Sequence, residues 1–270
     1  MTRDISIIGL GWLGWPLAKQ LMASGYNVRG SVTSIAKQQQ LSAELPEMNV
    51  HCWQADEQAA LPEALLAPVM IITIPPGKLS HYFLALQSLI LQARQRGVER
   101  LIYISSTSVY GGTGCCDETT PLQPETAQAA TLVQVEQCLQ QAGFMCWNIL
   151  RPSGLIGPGR YPGRFLSGKT LDAGGRVVNL VHQRDVIGVI MALLKQPHSG
   201  IFNLAAPDHP TRATFYQQAC QLAGLPLPLF SDMNNDGKMI CADKVETELG
   251  YHYQIHDLLL WLQQVAAGEQ

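Results

Sequence analysis

A glycine-rich turn near the start of the chain constrains its fold more than any other feature. The run Ile5–Ile8 leads into Gly9, Gly11 and Gly14, which are spaced G-x-G-x-x-G, and a segment with helical spacing follows. In that context the first glycine permits a tight turn, the second has no Cβ to obstruct a pyrophosphate, and the third lets helix and strand pack closely. An ordinary β-α turn is the alternative, and the flanking strand and helix favour phosphate binding. The predicted phosphate-binding residues are Gly9, Gly11, Trp12, Leu13 and Gly14.

Length and composition are those of a compact globular chain. The 270 residues are enough for one large α/β domain, or for a domain with a smaller appendage. A net charge of −3 indicates no affinity for nucleic acid, and no apolar run approaches the roughly 20 residues that a membrane span needs. We therefore expect a small-molecule substrate, no nucleic-acid partner and no membrane association.

The seven cysteines are scattered through the chain. An odd number without a C-x-x-C pair favours reduced thiols and therefore a cytoplasmic protein. Cys115 and Cys116 are adjacent, but no nearby histidine completes a metal site. We expect these two residues to be loop thiols, and we expect no metal.

Strand-like segments alternate with helical segments along most of the chain, and this alternation predicts a doubly wound parallel sheet of the Rossmann type. The fully apolar run Val69–Ile74 is typical of a central strand that is covered on both faces. We expect residues 1–151 plus 177–204 to form the dinucleotide-binding portion. Residues 152–176 plus 205–270 then form a smaller substrate-binding portion. The predicted strands after the first are 26–32, 49–53, 69–74, 101–105, 144–150, 177–181 and 201–204.

The end of the second predicted strand bears on the choice between NAD and NADP. An acid there would hold the ribose 2′-hydroxyl of NAD, but no Asp or Glu occurs between Asp4 and Glu44. Hydroxyl groups and cations suit a 2′-phosphate, so NADP is favoured over NAD; the alternative is that the cations Arg29 and Lys37 are only solvated surface charges. The candidate 2′-phosphate residues are Ser31, Thr33, Ser34 and Lys37, with Arg29 nearby.

Two further segments are candidates for cofactor contacts. Asp56 follows the third predicted strand, where it would meet an adenine amino group. Pro75 and Pro76 end the central strand, where a rigid turn would form a wall beside the cofactor, although Pro-Pro-Gly is also an ordinary strand terminator.

Two families share the opening motif. Residues 8–33 resemble the start of the 3-hydroxyacid dehydrogenases, whose second half is helical and carries a catalytic lysine, whereas this chain continues to produce strands. The middle of the chain resembles the extended short-chain dehydrogenase/reductases, the nucleotide-sugar epimerase/dehydratase superfamily. The glycine spacing departs from that superfamily's usual G-x-x-G-x-x-G and indicates an atypical subgroup. The segments that carry the resemblance are Ile104–Gly111, Asp117-Glu118, Leu150–Pro152, Gly157–Gly159, and His182 with Asp185.

The resemblance assigns roles to several residues. Ser106 matches the hydroxyl that polarises a substrate carbonyl, and Ser105 and Pro152 are expected beside the cofactor. The family's Tyr-x-x-x-Lys pair, which exchanges the proton, falls on Gln128 and Leu132. That relay is absent, because no Tyr, Lys, Arg or His lies between Gly112 and Gly143. The remaining candidate acids are Tyr110, Tyr161 and His182.

Two functional hypotheses remain open. The first is an NAD(P)-dependent oxidoreductase or epimerase that acts on a polar substrate, possibly a nucleotide sugar, with an altered proton donor; Ser106 and Tyr110 are its candidate catalytic residues. The second is a non-catalytic dinucleotide-binding sensor. A reductase like the 3-hydroxyacid dehydrogenases is a third, weaker alternative. The resemblance also implies a homodimer.

Overall fold

The computed structural model describes residues 3–196 and 198–268. Its strands are β1 Asp4–Ile8, β2 Asn27–Val32, β3 Asn49–Cys52, β4 Val69–Ile72, β5 Arg100–Ile104, β6 Gly114–Cys116, β7 Cys146–Pro152, β8 Gly154–Ile156, β9 Thr170–Leu171, β10 Leu180–His182, β11 Gly200–Leu204, β12 Leu229–Phe230 and β13 Lys238–Ile240. Its helices are α1 Gly14–Ala23, α2 Ile35–Glu44, α3 Tyr82–Gln95, α4 Ala127–Gln141, α5 Gly163–Leu166, α6 Gln183–Leu194, α7 Arg212–Leu222, α8 Lys244–Leu249 and α9 Leu258–Ala267.

Seven strands form one sheet in the order β3-β2-β1-β4-β5-β7-β11. The five pairs from β3 to β7 are parallel, and the register places Ile8 beside Ser31 on one side and Ile72 on the other. The chain runs from β1 outward to β3 and then returns to the other side of β1 as β4. This reversal of strand order opens a crevice at the carboxyl ends of β1 and β4, where doubly wound sheets bind ligands. The predicted fold is confirmed.

The sequence explains the central strands and the first helix. Every residue of β4 and β5 is buried, as expected for strands with helices on both faces. In α1 the buried residues Leu17, Ala18 and Leu21 form one stripe. Gly25 ends this helix in the left-handed region, with φ +82°, and its N–H donates to the Met22 carbonyl.

The chain divides into two compact units. The first comprises Met1–Val109, Pro124–Leu150 and Leu194–Ile201, and the second comprises Tyr110–Gln123, Arg151–Leu193 and Phe202–Gln270. The second unit has its own apolar core, which includes Phe215, Trp261 and Leu262. Residues 110–123 and 177–193 thus group with the second unit. The assignment of dinucleotide and substrate binding to separate portions of the chain stays a prediction.

The structure corrects the sequence analysis at the cysteines. Cys115 lies in β6 and forms a disulfide with Cys241, which follows β13. The two strands pair in parallel, with Cys115 beside Met239, so the thiols approach although 126 residues separate them. The prediction that Cys115 is a reduced loop thiol is therefore wrong. Cys116 is buried in the same strand rather than lying in a loop.

Short strands lie in two further segments. The segment 151–160 contains the end of β7 and all of β8, and residues 224–235 contain β12. Within the part of the chain that the structure describes, no helix is long and apolar enough to cross a membrane. The same residues contain no cluster of three potential metal ligands.

Candidate functional site

The glycine turn is held against the neighbouring strand β4. Gly9 follows β1 with φ +108°, a conformation that favours glycine. Thr73, the residue after β4, donates its hydroxyl to the Gly9 carbonyl at 2.6 Å, and its N–H donates to the Ile8 carbonyl at 3.0 Å. These bonds fix the turn at the crevice between the carboxyl ends of β1 and β4.

The space around Gly14 differs from the space around Gly11. A Cβ at Gly14 would overlap the carbonyl oxygen of Gly9, so the third glycine is required for close packing of helix on turn. A Cβ at Gly11 would have no atom within 4 Å, and Gly11 is exposed. The chain therefore leaves open the space that a diphosphate would occupy beside the second glycine. The three glycines of the turn therefore fit the binding of a dinucleotide.

The second strand supports the turn from the other side. Gly9 N–H donates to Ser31 Oγ at 3.2 Å, and Leu10 N–H donates to the Ser31 carbonyl at 2.8 Å. A Cβ at Gly30 would lie 2.8 Å from the Leu10 side chain, so Gly30 lets Leu10 pack across β2. Ser31 thus holds the phosphate turn in place, a contact that the sequence analysis did not anticipate.

The polar residues after β2 differ in what they contact. Ser34 caps α2 by accepting the Lys37 N–H at 3.3 Å, and the Lys37 ammonium donates to Gln40 at 3.1 Å. Arg29 contacts Asp4 and donates to the Leu66 carbonyl, so it is held away from this end of β2. Thr33 is exposed. The 2′-phosphate role of Ser31, Thr33, Ser34 and Lys37 stays a prediction.

The remaining predicted cofactor contacts in the first unit lie on loops. Asp56 is exposed, and its carboxylate accepts the Gln58 N–H at 3.2 Å. Pro75 is exposed and Pro76 half-buried in the turn after β4. Pro152 is buried at the end of β7 in the second unit. The structure thus places Asp56, Pro75 and Pro76 after strands whose carboxyl ends lie at one edge of the sheet.

Ser105 and Ser106, which follow β5, make different hydrogen bonds. Ser105 is buried and donates its hydroxyl to the Glu136 carboxylate at 2.5 Å. Glu136 lies on α4 and is fully buried, so this bond ties the end of β5 to that helix. Ser106 is half-buried, and its Oγ accepts the Ser108 N–H at 3.1 Å. The Ser106 hydroxyl proton therefore stays available for donation to a substrate oxygen.

Gln128 and Leu132 lie four residues apart on α4 but have different surroundings. Leu132 is 1% exposed and packs in the core, whereas Gln128 is exposed. Gln128 lines a cleft of about 410 Å³. This surface depression, called the Gln128 cleft below, is also lined by Pro76, Gly77, Ser80, His81 and Thr131.

Tyr110, in the second unit, is locked in a hydrogen-bond network. It is 1% exposed, accepts from the Arg151 guanidinium at 2.6 Å and donates to Asn203 Oδ1 at 2.9 Å. Burial raises the pKa of the Tyr110 phenol, which the guanidinium only partly offsets. This arrangement favours a structural role for Tyr110, so its catalytic role stays a prediction with little support from the geometry.

The other two candidate acids in the second unit are also engaged. The Tyr161 hydroxyl donates to the Ala219 carbonyl at 2.8 Å, and burial raises the pKa of this phenol. His182 ends β10, is buried against Trp261, and accepts the Arg184 N–H through Nδ1 at 3.1 Å. Burial lowers the pKa of the His182 imidazole, although Asp185 opposes this effect.

These features define a class of protein: an α/β chain with a dinucleotide cradle at the carboxyl edge of a parallel sheet. A model of the NAD dependent epimerase/dehydratase family matches residues 5–205, and the chain belongs to that family. The protein YeeZ of Escherichia coli strain K12 is 40% identical over an alignment of 273 residues. The alignment, gaps included, covers 96% of this chain and 98% of that one.

Solved structures share the fold. The structure of MoeE5 in complex with UDP-glucose and NAD has a TM-score of 0.76 at 20% identity and covers 99% of this chain and 100% of that one. The human epimerase family protein SDR39U1 (isoform 2) with NADPH has a TM-score of 0.74 at 15% identity and covers 98% and 99% of the two chains. The superfamily resemblance predicted from the sequence is confirmed.

Sequence reasoning did not assign a role to several residues that build the site. Gly30 carries a detectable signal, because a glycine inside a strand often marks close approach of another segment. Thr73 and Glu136 carry none, since their partners lie 64 and 31 residues away. His81 is an isolated histidine at the start of α3, and only the structure shows that it lines the same cleft as Gln128.

Proposed function

We propose that this protein is an NAD(P)-dependent enzyme that oxidises and reduces, epimerises or dehydrates a nucleotide sugar. The observation that carries the proposal is the cradle at Gly9, Gly11 and Gly14, where close packing at Gly14 coexists with open space at Gly11. Membership of the NAD dependent epimerase/dehydratase family and the UDP-glucose and NAD bound to MoeE5 support it.

We propose NADP as the preferred cofactor. The support is electrostatic, because Lys37 and the N-terminal end of α2 lie after β2 and no Asp or Glu lies between that strand and Glu44. Thr33 adds a hydroxyl donor. The NADPH bound to human SDR39U1 agrees with this choice, and the NAD bound to MoeE5 keeps NAD as the alternative.

The chain's own groups bind and orient the reactants. Bound NAD(P) would supply hydride exchange at its nicotinamide ring. The amides around Gly11 hold the diphosphate, and Thr73 and Ser31 keep those amides in place. Ser106 donates a hydrogen bond to the substrate oxygen at the reacting carbon. Ser105 and Glu136 hold the end of β5, which precedes Ser106, against α4, which carries Gln128.

A direct assay tests the proposal. The purified protein is incubated with NADP or NAD and with UDP-glucose, dTDP-glucose or UDP-glucuronic acid, and the sugar is followed by proton NMR. We expect conversion of at least one sugar to an epimer, a keto sugar or a dehydrated product, and we expect NADP to support it better. Binding of the dinucleotide without conversion of any sugar would contradict the enzyme proposal.

That last outcome would favour the second candidate function, a dinucleotide-binding sensor. The observation behind it is Leu132, which stands buried where the family's catalytic lysine is expected. We further propose a cytoplasmic location and a homodimer. A monomer mass by light scattering would contradict the dimer.

A further inference from the structure

The missing tyrosine and lysine leave the proposed reaction without a group to exchange the substrate's proton. Each of the candidates Tyr110, Tyr161 and His182 is engaged within the second unit. The Gln128 cleft, which lies within the first unit, offers another group. We propose that His81 exchanges this proton and that Gln128 orients the substrate in the cleft. This proposal rests on the function proposed above.

The cleft is joined to the dinucleotide cradle by short contacts. Ile74 lies against Gly9, within 3.5 Å of the place that a Cβ there would take. The Ile74 carbonyl accepts the Tyr82 hydroxyl at 2.6 Å, and Tyr82 follows His81 directly at the start of α3. A substrate in the cleft would therefore lie beside the loop that continues from the cradle.

The other wall of the cleft is α4, which carries Gln128. A Cβ at Gly77 would lie 3.1 Å from the Gln128 Nε2 atom, so the loop after β4 passes directly beside this amide. Gly77 has φ +90°, which a residue with a side chain would adopt only with strain. The Gln128 amide can donate and accept hydrogen bonds at once, which suits a sugar hydroxyl.

The residue types that line the cleft indicate His81 as the group that exchanges the proton. Among the described residues that line the cleft, the titratable ones are His81 and Tyr82. Tyr82 is excluded because its hydroxyl contacts Ile74 and Tyr103, and burial raises the pKa of this phenol further above its ordinary value. His81 is exposed to the cleft, and histidine is the residue type that exchanges protons near neutral pH.

In the proposed step the O–H proton of the substrate's secondary alcohol would pass to a nitrogen of the His81 imidazole as the C=O bond forms, and bound NAD(P) in its oxidised form would supply the acceptor for the hydride that leaves the carbon. In the reverse direction the His81 imidazolium would return the proton to the oxygen, and the reduced cofactor would supply the hydride. Ser80 and Thr131 add hydroxyl groups to the cleft, and its volume of about 410 Å³ is within the range of small-molecule sites.

Two variants and a chemical footprint test this proposal. His81→Gln removes the imidazole, and His256→Gln is the matched control, because His256 is also exposed but lies in the second unit. We expect His81→Gln to keep its melting temperature and its calorimetric affinity for NADP. Its turnover of the sugar converted by the wild type should fall by about 100-fold or more, as for loss of a general acid-base group. His256→Gln should keep full turnover.

The footprint reports binding without turnover. Diethyl pyrocarbonate modifies exposed imidazoles, and mass spectrometry measures its reaction with His81 and with His256 separately. We expect UDP-glucose or dTDP-glucose, added with NADP, to slow modification of His81 severalfold and to leave His256 unchanged. Full turnover by His81→Gln, or unprotected His81 with every sugar, would overturn the assignment. The proposed function would survive if the wild type still binds NADP and converts a sugar.

Discussion

Replacing Gly14 by alanine is expected to lower the free energy of unfolding by about 3 kcal/mol or more. The added Cβ would overlap the backbone carbonyl oxygen of Gly9 and would also lie only 3.0 Å from the Thr73 hydroxyl. The Gly9 turn cannot retreat easily, because Thr73 bonds to both Ile8 and Gly9. Urea denaturation of the purified variant measures the loss.

The matched control for that variant is Gly11→Ala. Its Cβ would meet no atom within 4 Å, and the backbone of Gly11 is not left-handed, so its stability should stay within about 0.5 kcal/mol of the wild type. Equal stability of Gly14→Ala and Gly11→Ala would show that helix and turn do not pack as described.

The second large effect is expected from Leu132→Lys, which restores the lysine of the family's catalytic pair. Leu132 is 1% exposed, so the new ammonium group would be buried. An uncompensated buried charge of this kind costs about 3 to 5 kcal/mol. Burial would lower the pKa of this lysine below its unfolded value, so the loss of stability should shrink as the pH rises from 7 toward 10.

Two substitutions on the same helix serve as controls. Gln134→Lys places the same charge at an exposed position of α4 and should be nearly neutral. Leu132→Met keeps the buried volume and should cost less than about 1.5 kcal/mol. A Leu132→Lys protein as stable as Gln134→Lys would contradict the burial of Leu132. If this loss of stability is observed, a double variant Gln128→Tyr with Leu132→Lys that gains no activity would not test the chemistry of the pair, because the buried lysine destabilises the fold.

The sequence predicts the sheet and the packing of the glycine turn well because both depend on local rules. Alternation of apolar strands with helices identifies a parallel sheet, and the steric role of each glycine in the turn can be deduced from its spacing. The structure adds the reasons why these glycines are needed: the Gly9 carbonyl beside Gly14 and the open space beside Gly11.

The features that sequence reasoning misses depend on contacts between distant residues. Ser31 contacts Gly9 because the register of β1 and β2 places it there, and the spacing along the chain does not reveal this. Cys115 pairs with Cys241 because β6 and β13, both only three residues long, lie side by side. His81 and Gln128 line the same cleft because the start of α3 and the start of α4 both border it.

Calorimetric titration of NADP and NAD into the wild type and Gly11→Ala tests the dinucleotide cradle most directly. We expect the wild type to bind at least one of the two dinucleotides. We expect Gly11→Ala to bind it about 10 to 100 times more weakly, because a Cβ would then occupy the space beside the diphosphate. Absence of binding to the wild type, or equal affinity of the two proteins, would contradict the cradle.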